Sequence, residues 1–346
     1  MGCTWSGLNA LYEVVSAGQE VWVNERRYKI VRQLGEGGFS FVYLVREHTG
    51  EHPNRAPKSD PFVSADGLYA LKKVLVQTDE QLELVKQEIK ISSSFNHPNL
   101  LPLLEHSIIA VKEGLWNQEA YLVFPVHLDG TLSDNLNTLQ AQGQFFPTIT
   151  VLHIFRQICA GLKHMHTGDT PYAHNDLKPA NVLLSKRKDQ PPQVIIMDFG
   201  SATVARKQIR SRSQALALQE WAAIHCSAPY RAPELWDCPS QIDIDGRTDV
   251  WSLGCTLFAT MYGVSPFEYS LGESGGSLQL AAMSGQIKWP PGPNPPYPDS
   301  LHKFVTWMLQ PNPALRPNME DVCIHVEKLV AKFPTGMNGL WTLQNP

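Results

Sequence analysis

The stretch from His174 to Asn181 carries side chains whose types and spacing suit phosphoryl transfer. It holds a carboxylate at Asp176, an ammonium at Lys178 and an amide at Asn181, and a D-F-G motif that begins at Asp198 follows a short apolar strand. Moving a phosphoryl group from ATP to a hydroxyl requires a carboxylate beside the hydroxyl, positive charge beside the phosphate and oxygen ligands for Mg²⁺. The pattern predicts Asp176 and Lys178 as catalytic residues. It predicts Asn181 and Asp198 as Mg²⁺ ligands, although D-x-K-x-x-N without the D-F-G motif would fit a surface loop equally well.

A glycine-rich stretch nearer the N-terminus has the composition of a phosphate-binding flap. Residues Tyr28 to Leu34 alternate as in a strand, residues 35–38 read G-E-G-G, and Phe41 to Val45 has strand character again. This strand–turn–strand order predicts a flap over the ATP phosphates. A dinucleotide-binding loop would continue into a helix, so that alternative is excluded. Ser40 replaces the third glycine of the G-x-G-x-x-G pattern.

The next strand and helix predict a lysine–glutamate pair. Residues 69–72 read Y-A-L-K, which matches a strand that presents Lys72 to the α- and β-phosphates. Apolar residues recur at helical spacing from Asp79 to Phe95, and Glu88 within this helix is the predicted partner of the lysine. Glu80 and Glu83 compete with it for this role.

Two further strands are expected before the chain enters its larger, C-terminal part. They run from Leu100 to His106 and from Ala120 to Pro125, and they lead into residues 126–130, which we interpret as the connection between two lobes. The part that follows is predicted to be mainly helical, with helices over residues 150–166, 249–262 and 300–309.

The composition is that of an ordinary globular protein and excludes several function classes. Of the 346 residues, 43% are hydrophobic and 18% are charged, which is enough for a sizeable core. The formal net charge of −4 argues against binding of nucleic acid through a basic surface, and we expect no nucleic-acid partner. The six cysteines include no C-x-x-C pair, which favours a reducing compartment over a zinc site or a disulfide framework. No apolar run is long enough to cross a bilayer.

The first residues, Met-Gly-Cys-Thr-Trp-Ser, fit the pattern for N-myristoylation at Gly2. One myristoyl chain binds a membrane only weakly, and a palmitoylated Cys3 would supply the second signal that stable anchoring takes. We therefore predict a lipid-anchor segment over residues 1–27, with the protein at the cytoplasmic face of membranes and in the cytoplasm. The alternative is an N-terminal tail in which the glycine and the cysteine are incidental.

Together these motifs resemble those of the eukaryotic protein kinases over residues 28–332. Lys178 within D-L-K-P-x-N is similar to the serine/threonine type rather than the tyrosine type. Residues 213–223 (S-Q-A-L-A-L-Q-E-W-A-A) and 230–235 (Y-R-A-P-E-L) resemble the Numb-associated kinase family. With the Met-Gly-Cys start and the compact length, the likeness is to the small myristoylated and palmitoylated serine/threonine kinase of that family. The resemblance implies action in trafficking at Golgi, plasma or related membranes.

The resemblance also implies an α+β, bilobal fold and a set of site residues. A β-rich N-lobe with one main helix would span residues 28–126, a larger and mainly helical C-lobe residues 127–332, and a tail residues 333–346. ATP and Mg²⁺ would be the cofactors, and Ser and Thr hydroxyls of proteins the acceptors. The residues expected to contact ATP, with Phe124 as gatekeeper, are Leu34, Gly35, Glu36, Gly37, Gly38, Phe39, Ser40, Val42, Ala70, Lys72, Glu88, Phe124, Pro125, Val126, His127 and Leu183. The implied structural residues are Ser227, beside Asp176 and Lys178; Asp249, which braces the catalytic loop; and the ion-paired Glu234 and Arg316.

One departure from the kinase pattern concerns regulation. Most kinases carry an arginine at the position of Asn175, where it pairs with a phosphate on the activation segment. Asparagine has no charge to offer a phosphate, so phosphorylation of this segment should matter less here. Leu218, Trp221 and Ala222 have core-type spacing in a helical run of the segment, and we hypothesise that packing holds it. Ser201, Thr203, Ser211 and Ser213 are candidate autophosphorylation sites, or else parts of a solvated basic loop with Arg206, Lys207, Arg210 and Arg212.

The leading hypothesis is a membrane-anchored serine/threonine protein kinase that uses MgATP. The rival is a lipid-tethered pseudokinase scaffold that binds partners without transferring phosphate. It is disfavoured because every catalytic position carries a competent side chain, and because Ser40 and Asn175 remove no reacting group. A kinase that acts on small molecules is disfavoured by residues 232–234 (A-P-E), which shape a platform for a peptide in the family it resembles.

Overall fold

The computed structural model of the chain describes residues 18–37, 40–48, 66–111, 118–187, 190–272, 275–291 and 297–333. The predictions for Gly2, Cys3, Gly38 and Phe39 lie outside the described residues, as do residues 334–346 of the tail predicted over residues 333–346. The chain divides into two compact units. The first comprises residues up to 96 and 101–126, and the second comprises residues 97–100 and those from 127 onward.

The first unit is built on a six-stranded antiparallel sheet with the strand order β1-β2-β3-β4-β6-β5. Alternate side chains of its strands, among them Tyr28, Val45 and Leu71, form a buried apolar cluster. The rings of Tyr28 and Tyr69 meet edge to face within it, with centroids 5.8 Å apart. The strands are β1 (Glu20–Val23), β2 (Arg26–Gly37), β3 (Ser40–Glu47), β4 (Leu68–Val76), β5 (Glu105–Ala110) and β6 (Gln118–Pro125).

This sheet differs from the prediction in two places. Strand β1 and the first residues of β2 lie in the segment that was assigned to the lipid anchor, so the sheet begins at Glu20 rather than at residue 28. The strand predicted over residues 100–106 is wrong, because β5 begins only at Glu105. Pro102 has no N–H to contribute to a strand ladder. Leu100 instead forms a bridge with Ile196 in the second unit.

Helix α1 (Asp79–Ser94) also belongs to the first unit. It begins where the Thr78 side chain accepts a hydrogen bond from the backbone N–H of Gln81, which satisfies one of the unpaired amides of the first turn. Its buried residues include Val85, Glu88 and Ile89, at the spacing of one helical face. The buried face therefore carries a carboxylate as well as apolar side chains.

The second unit is mainly helical, and the prediction of an α+β fold is confirmed. Its helices are α2 (Leu132–Ala141), α3 (Thr148–His166), α4 (Arg212–His225), α5 (Pro233–Trp236), α6 (Arg247–Tyr262), α7 (Pro266–Leu271), α8 (Leu278–Ser284), α9 (Asp299–Met308) and α10 (Met319–Lys332). Its strands form three antiparallel pairs: β7 (Tyr172–Ala173) with β10 (Thr203–Val204), β8 (Val182–Arg187) with β9 (Gln190–Ile196), and β11 (Lys207–Ile209) with β12 (Ile242–Ile244).

Helix α6 lies at the centre of this unit. Every residue from Thr248 to Tyr262 is buried, as expected for a helix that is covered on all sides. Helix α9 packs on α6, and α10 packs on α3. Phe155 of α3 and Phe304 of α9 meet edge to face, with centroids 5.4 Å apart. No described helix combines the length and the apolar character needed to cross a bilayer.

Candidate active site

The carboxylate of Asp176, on the loop between β7 and β8, accepts three hydrogen bonds. Its Oδ1 accepts a hydrogen bond from the backbone N–H of Ser227 at 2.9 Å. Its Oδ2 accepts hydrogen bonds from Lys178 Nζ at 2.8 Å and Asn181 Nδ2 at 3.0 Å. Hydrogen bonds to an ionised oxygen are the stronger kind, so the carboxylate is held in one orientation. The structure thus brings together two predicted catalytic residues, one predicted metal ligand and the predicted contact Ser227.

Lys178 joins this loop to the end of the activation segment. Its Nζ donates to the hydroxyl of Ser227 at 2.6 Å as well as to Asp176. Ser227 lies just after helix α4, 49 positions beyond Lys178, so this contact depends on the path of the whole segment. The ammonium therefore sits between the carboxylate and the segment, where it can offset negative charge on a transferring group.

Asn181 offers its amide oxygen as a possible Mg²⁺ ligand. Its Nδ2 donates to the backbone oxygen of Asp176 at 2.8 Å and to Asp176 Oδ2 at 3.0 Å, which uses both amide hydrogens and leaves Oδ1 as the ligand atom. Asp198 has a φ of +64°, an uncommon conformation for a residue other than glycine and one that clusters at functional sites. In the parts of the chain that the structure describes, no three His, Cys, Asp or Glu side chains group as a metal cage. Mg²⁺ needs few protein oxygens, because phosphate oxygens and water complete its coordination, and the oxygens of Asn181 and Asp198 are of the type it prefers.

Asp249 of α6 braces the loop from its buried side. Its Oδ2 accepts hydrogen bonds from the backbone N–H of His174 at 2.7 Å and from Nε2 of His166 at 2.8 Å. Its Oδ1 accepts a hydrogen bond from the backbone N–H of Asn175 at 2.8 Å. Desolvation acts to raise the pKa of Asp249, but the hydrogen bonds and charges of His166 and His174 together outweigh it and hold that pKa below its ordinary value. No sequence pattern pointed to His166 in this role, because it lies 83 positions from Asp249.

Asn175 ties the catalytic loop to the activation segment without any charge. Its Nδ2 donates to Ser201 O at 2.9 Å, to Thr203 Oγ1 at 3.0 Å and to Ala173 O at 3.2 Å. Its φ of +64° lies in the left-handed region, which asparagine adopts more readily than most residues do. In the sequence, Asn175 was notable only because most kinases have an arginine at this position. In the structure it makes contacts of its own.

Helix α4 lies within the activation segment, over the run that was predicted to be helical. Its buried face consists of Ala215, Leu218 and Ala222. Trp221 is only half-buried, and its ring stacks on that of His225 with centroids 4.8 Å apart. The packing hypothesis therefore fits Leu218 and Ala222, whereas Trp221 lies beside the buried face.

The basic residues of the segment do not form a uniformly solvated loop. Lys207 is half-buried, and its Nζ donates to Thr203 Oγ1 at 2.8 Å. Arg210 is ion-paired with Asp243 of β12. The hydroxyl of Ser201 donates to the backbone oxygen of His225 at 2.8 Å. The hydroxyls of Ser211 and Ser213 lie 3.1 Å apart, so all four candidate phosphorylation sites have hydroxyls that already form hydrogen bonds within the segment.

Glu234 and Arg316 form a buried ion pair in the second unit. Arg316 Nη1 lies 2.8 Å from Glu234 Oε1, and its Nη2 lies 3.0 Å from Oε2. The guanidinium also donates to the backbone oxygens of Arg247 and Gln310, at 2.6 and 3.1 Å. These contacts attach the A-P-E segment to the start of α6 and to the turn before α10.

In the first unit, Lys72 of β4 pairs with Glu88 of α1. The distance from Lys72 Nζ to Glu88 Oε1 is 2.7 Å. Glu83 lies on the surface and binds Lys86 at 2.8 Å, and Glu80 is exposed. Three glutamates were candidates for the partner of Lys72, and in the structure Glu88 is the one that contacts it.

The predicted flap consists of β2 and β3, which pair on either side of residues 38 and 39. Gly37 lies opposite Ser40, and Gly35 lies opposite Val42. The hydroxyl of Ser40 donates to the backbone oxygen of Gly37 at 3.0 Å. The serine that replaces the third glycine therefore donates a hydrogen bond to the last residue of β2. Leu34 and Glu36, also predicted to contact ATP, lie on β2.

The remaining residues predicted to contact ATP lie in three places. Phe124 and Pro125 end β6, where Phe124 is buried and lies opposite Ala70 of β4. Val126 and His127 follow β6, and desolvation lowers the pKa of His127 despite the nearby charge of Asp129. Leu183 lies on β8 in the second unit and forms a bridge with Thr131. Contact of these residues with ATP stays a prediction.

Comparison with known proteins agrees with this arrangement. A model of the protein kinase domain matches residues 28–326. Serine/threonine-protein kinase 16 of Rattus norvegicus is 36% identical over 314 residues, which cover 91% of this chain and 94% of that protein. Its Homo sapiens counterpart is 35% identical over 314 residues with the same shares. Serine/threonine-protein kinase ENV7 of Saccharomyces cerevisiae is 30% identical over 344 residues, which cover 87% of this chain and 91% of that protein. The chain belongs to the protein kinase family and is a serine/threonine protein kinase.

Proposed function

We propose that this kinase transfers the γ-phosphate of ATP to Ser and Thr hydroxyls of proteins through the residues gathered around Asp176. The observation that carries the proposal is the set of three donors, from Ser227, Lys178 and Asn181, that orients the Asp176 carboxylate. A scaffold that only binds partners would have no need to hold a carboxylate in this way.

The residues then have distinct roles. Asp176 orients the acceptor hydroxyl and takes its proton as the new oxygen–phosphorus bond forms and the bond from the γ-phosphorus to ADP breaks, while Lys178 offsets charge on the transferring oxygens. Asn181 and Asp198 would hold Mg²⁺, which neutralises phosphate charge when bound. Lys72, positioned by Glu88, binds the α- and β-phosphates.

The test is phosphate transfer from ATP to the kinase itself and to a generic basic protein, with purified full-length variants. We expect Asp176→Asn and Asp198→Ala to lower the rate by about a thousandfold. Asp169→Asn, which changes an exposed carboxylate outside the site, should keep the wild-type rate. A folded wild-type protein that binds MgATP and transfers no phosphate would establish the scaffold instead.

A second proposal concerns location. We propose that the kinase belongs to the Numb-associated kinase family, and that myristate on Gly2 and palmitate on Cys3 hold it on trafficking membranes. The Met-Gly-Cys start supports the anchor, and the stretch 213–223, which lies within α4, supports the family. Protein substrates would then be those exposed at the cytoplasmic face of such membranes.

Metabolic labelling with alkyne-tagged fatty acids tests the anchor in cells. Wild-type protein should incorporate both labels and sediment with membranes. Gly2→Ala should lose the myristate label and move to the soluble fraction, whereas Cys3→Ser should keep myristate and bind membranes weakly. A wild-type protein that incorporates neither label would contradict the lipid anchor, and the proposal on kinase activity would still stand.

A further inference from the structure

The hydroxyl of Thr203 in the activation segment binds the catalytic loop, in addition to the contacts of Ser201 and Ser227 with that loop. Its Oγ1 accepts a hydrogen bond from Asn175 Nδ2 at 3.0 Å and another from Lys207 Nζ at 2.8 Å. A hydroxyl oxygen has two lone pairs, and these donors account for both. Thr203 therefore links an amide on the loop to an ammonium on the segment.

Lys207 is held from its other side by helix α4. Its Nζ lies 4.7 Å from the centroid of the Trp221 ring, within the range of a cation–π contact. The Trp221 ring in turn stacks on His225, at an interplanar angle of 9°. The ammonium of Lys207 thus contacts both Trp221 of α4 and the hydroxyl of Thr203. Because Lys207 is half-buried, its hydrogen bond to the hydroxyl is stronger than one at the surface.

Thr203 is also connected to the residues just before Asp176. In the β7–β10 pair it lies opposite Ala173, the residue that precedes the catalytic loop. Asn175 completes the connection, because its side chain binds Thr203 while its backbone N–H binds Asp249. A displacement of Lys207 or Thr203 would therefore reach the residue next to Asp176.

We propose that Lys207 and Thr203 are positioning residues for phosphoryl transfer, and that they hold the activation segment on the catalytic loop without a phosphate. In the common kinase pattern, a loop arginine and a segment phosphate make this connection, and it exists only after phosphorylation. Here the cation belongs to the segment, the hydroxyl of Thr203 is the acceptor, and the amide of Asn175 is the donor on the loop. The connection is permanent, so the unphosphorylated kinase has its full activity. Neither residue is among those predicted to contact ATP or to orient the acceptor hydroxyl.

The test uses full-length kinase that has been treated with a phosphatase and shown by mass spectrometry to carry no phosphate. Lys207→Met keeps an apolar stem against Trp221 but removes the ammonium, and Thr203→Val keeps the shape but removes the hydroxyl. Each should lower kcat about tenfold and change the KM for ATP by less than about twofold. Arg206→Met, which removes the exposed cation next to Lys207, should leave both constants unchanged.

Three further results distinguish positioning from a general loss of structure. The double variant should be no slower than the slower single variant, because both act through one connection. Thr203→Ser and Lys207→Arg should restore most of kcat. Progress curves of the dephosphorylated wild type should be linear from the first time point.

Either of two results would overturn the proposal. One is a folded Thr203→Val variant with wild-type kcat, which is decisive even if Lys207→Met does not fold. The other is a lag in the wild-type progress curve that preincubation with ATP removes, since the segment would then depend on phosphorylation.

Discussion

Arg316 and Glu234 face each other through two parallel hydrogen bonds, of 2.8 and 3.0 Å, with side chains that are 0% and 3% exposed. The two residues are 82 positions apart. Two planar groups that match in this way fix both angle and distance. The pair therefore sets the position of the A-P-E segment relative to the chain before α10.

Loss of Glu234 should destabilise the kinase strongly. Glu234→Ala leaves the guanidinium of Arg316 buried without its carboxylate, which should lower the free energy of unfolding by about 3–5 kcal/mol. Glu327→Ala is the control, because it removes an ion pair with Arg156 at the surface, where Glu327 is 60% exposed and Arg156 is 43% exposed. This substitution should lower the free energy of unfolding by less than about 1 kcal/mol. Urea denaturation followed by tryptophan fluorescence measures both. Equal losses in the two variants would contradict the structural role of the buried pair.

The contact between Lys72 and Glu88 should matter for the use of ATP. Glu88→Gln keeps the size of the side chain but removes the charge that holds the lysine, so kcat/KM for ATP should fall about tenfold or more. Glu83→Gln removes the charge that pairs with exposed Lys86 on the same helix, and it should change kcat/KM little. Steady-state kinetics with varied ATP provides the comparison. If both variants behaved as wild type, Lys72 would not depend on Glu88.

Two leucines of α4 test whether packing holds the activation segment. Leu218 is 7% exposed and Leu216 is 42% exposed, although they lie two residues apart on one helix. Leu218→Lys forces a charge into the buried face and should lower the free energy of unfolding by about 3 kcal/mol or more, with loss of kinase activity. Leu216→Lys places the same charge in water and should have little effect. Thermal unfolding and a kinase assay on both variants decide the matter, and an active Leu218→Lys variant would refute the packing hypothesis.

Cys323 should be the most reactive thiol among the cysteines that the structure describes. A hydrogen bond with the thiol of Cys159 lowers the pKa of Cys323, and the charge of Lys163 lowers it further, against the effect of desolvation. By contrast, burial raises the pKa of Cys226 to about 12 and also raises those of Cys159, Cys238 and Cys255. A lowered pKa means more thiolate, the nucleophilic form, at a given pH.

Alkylation with iodoacetamide at neutral pH, followed by peptide mass spectrometry, should therefore find Cys323 modified first. Its rate should rise with pH around a midpoint below that of a free cysteine. Lys163→Met should move that midpoint upward, because a cation that favours the thiolate has been removed. Earlier modification of a buried thiol such as Cys226 would contradict the expected order.

Residues close together in the chain were predicted well. Asp176, Lys178 and Asn181 lie on one loop, and their relation follows from spacing alone. Glu88 could be preferred over two other glutamates because its helix ends at a recognisable turn. Strands at the sheet edge were less predictable. Strand β1 is short, and the apolar residues 100–104 look like a strand until the missing N–H of Pro102 is considered.

By itself the sequence determined the protein kinase family, the serine/threonine type, the α+β fold and the groups available for catalysis. These follow from residue types that lie a few positions apart, because the chemistry of one loop, strand or helix requires particular side chains at particular spacings. Only the tertiary structure decided that Asn175 binds Thr203, 28 positions away, and that His166 binds Asp249, 83 positions away. Such contacts depend on where folding brings distant segments together, and no local pattern of residues specifies that.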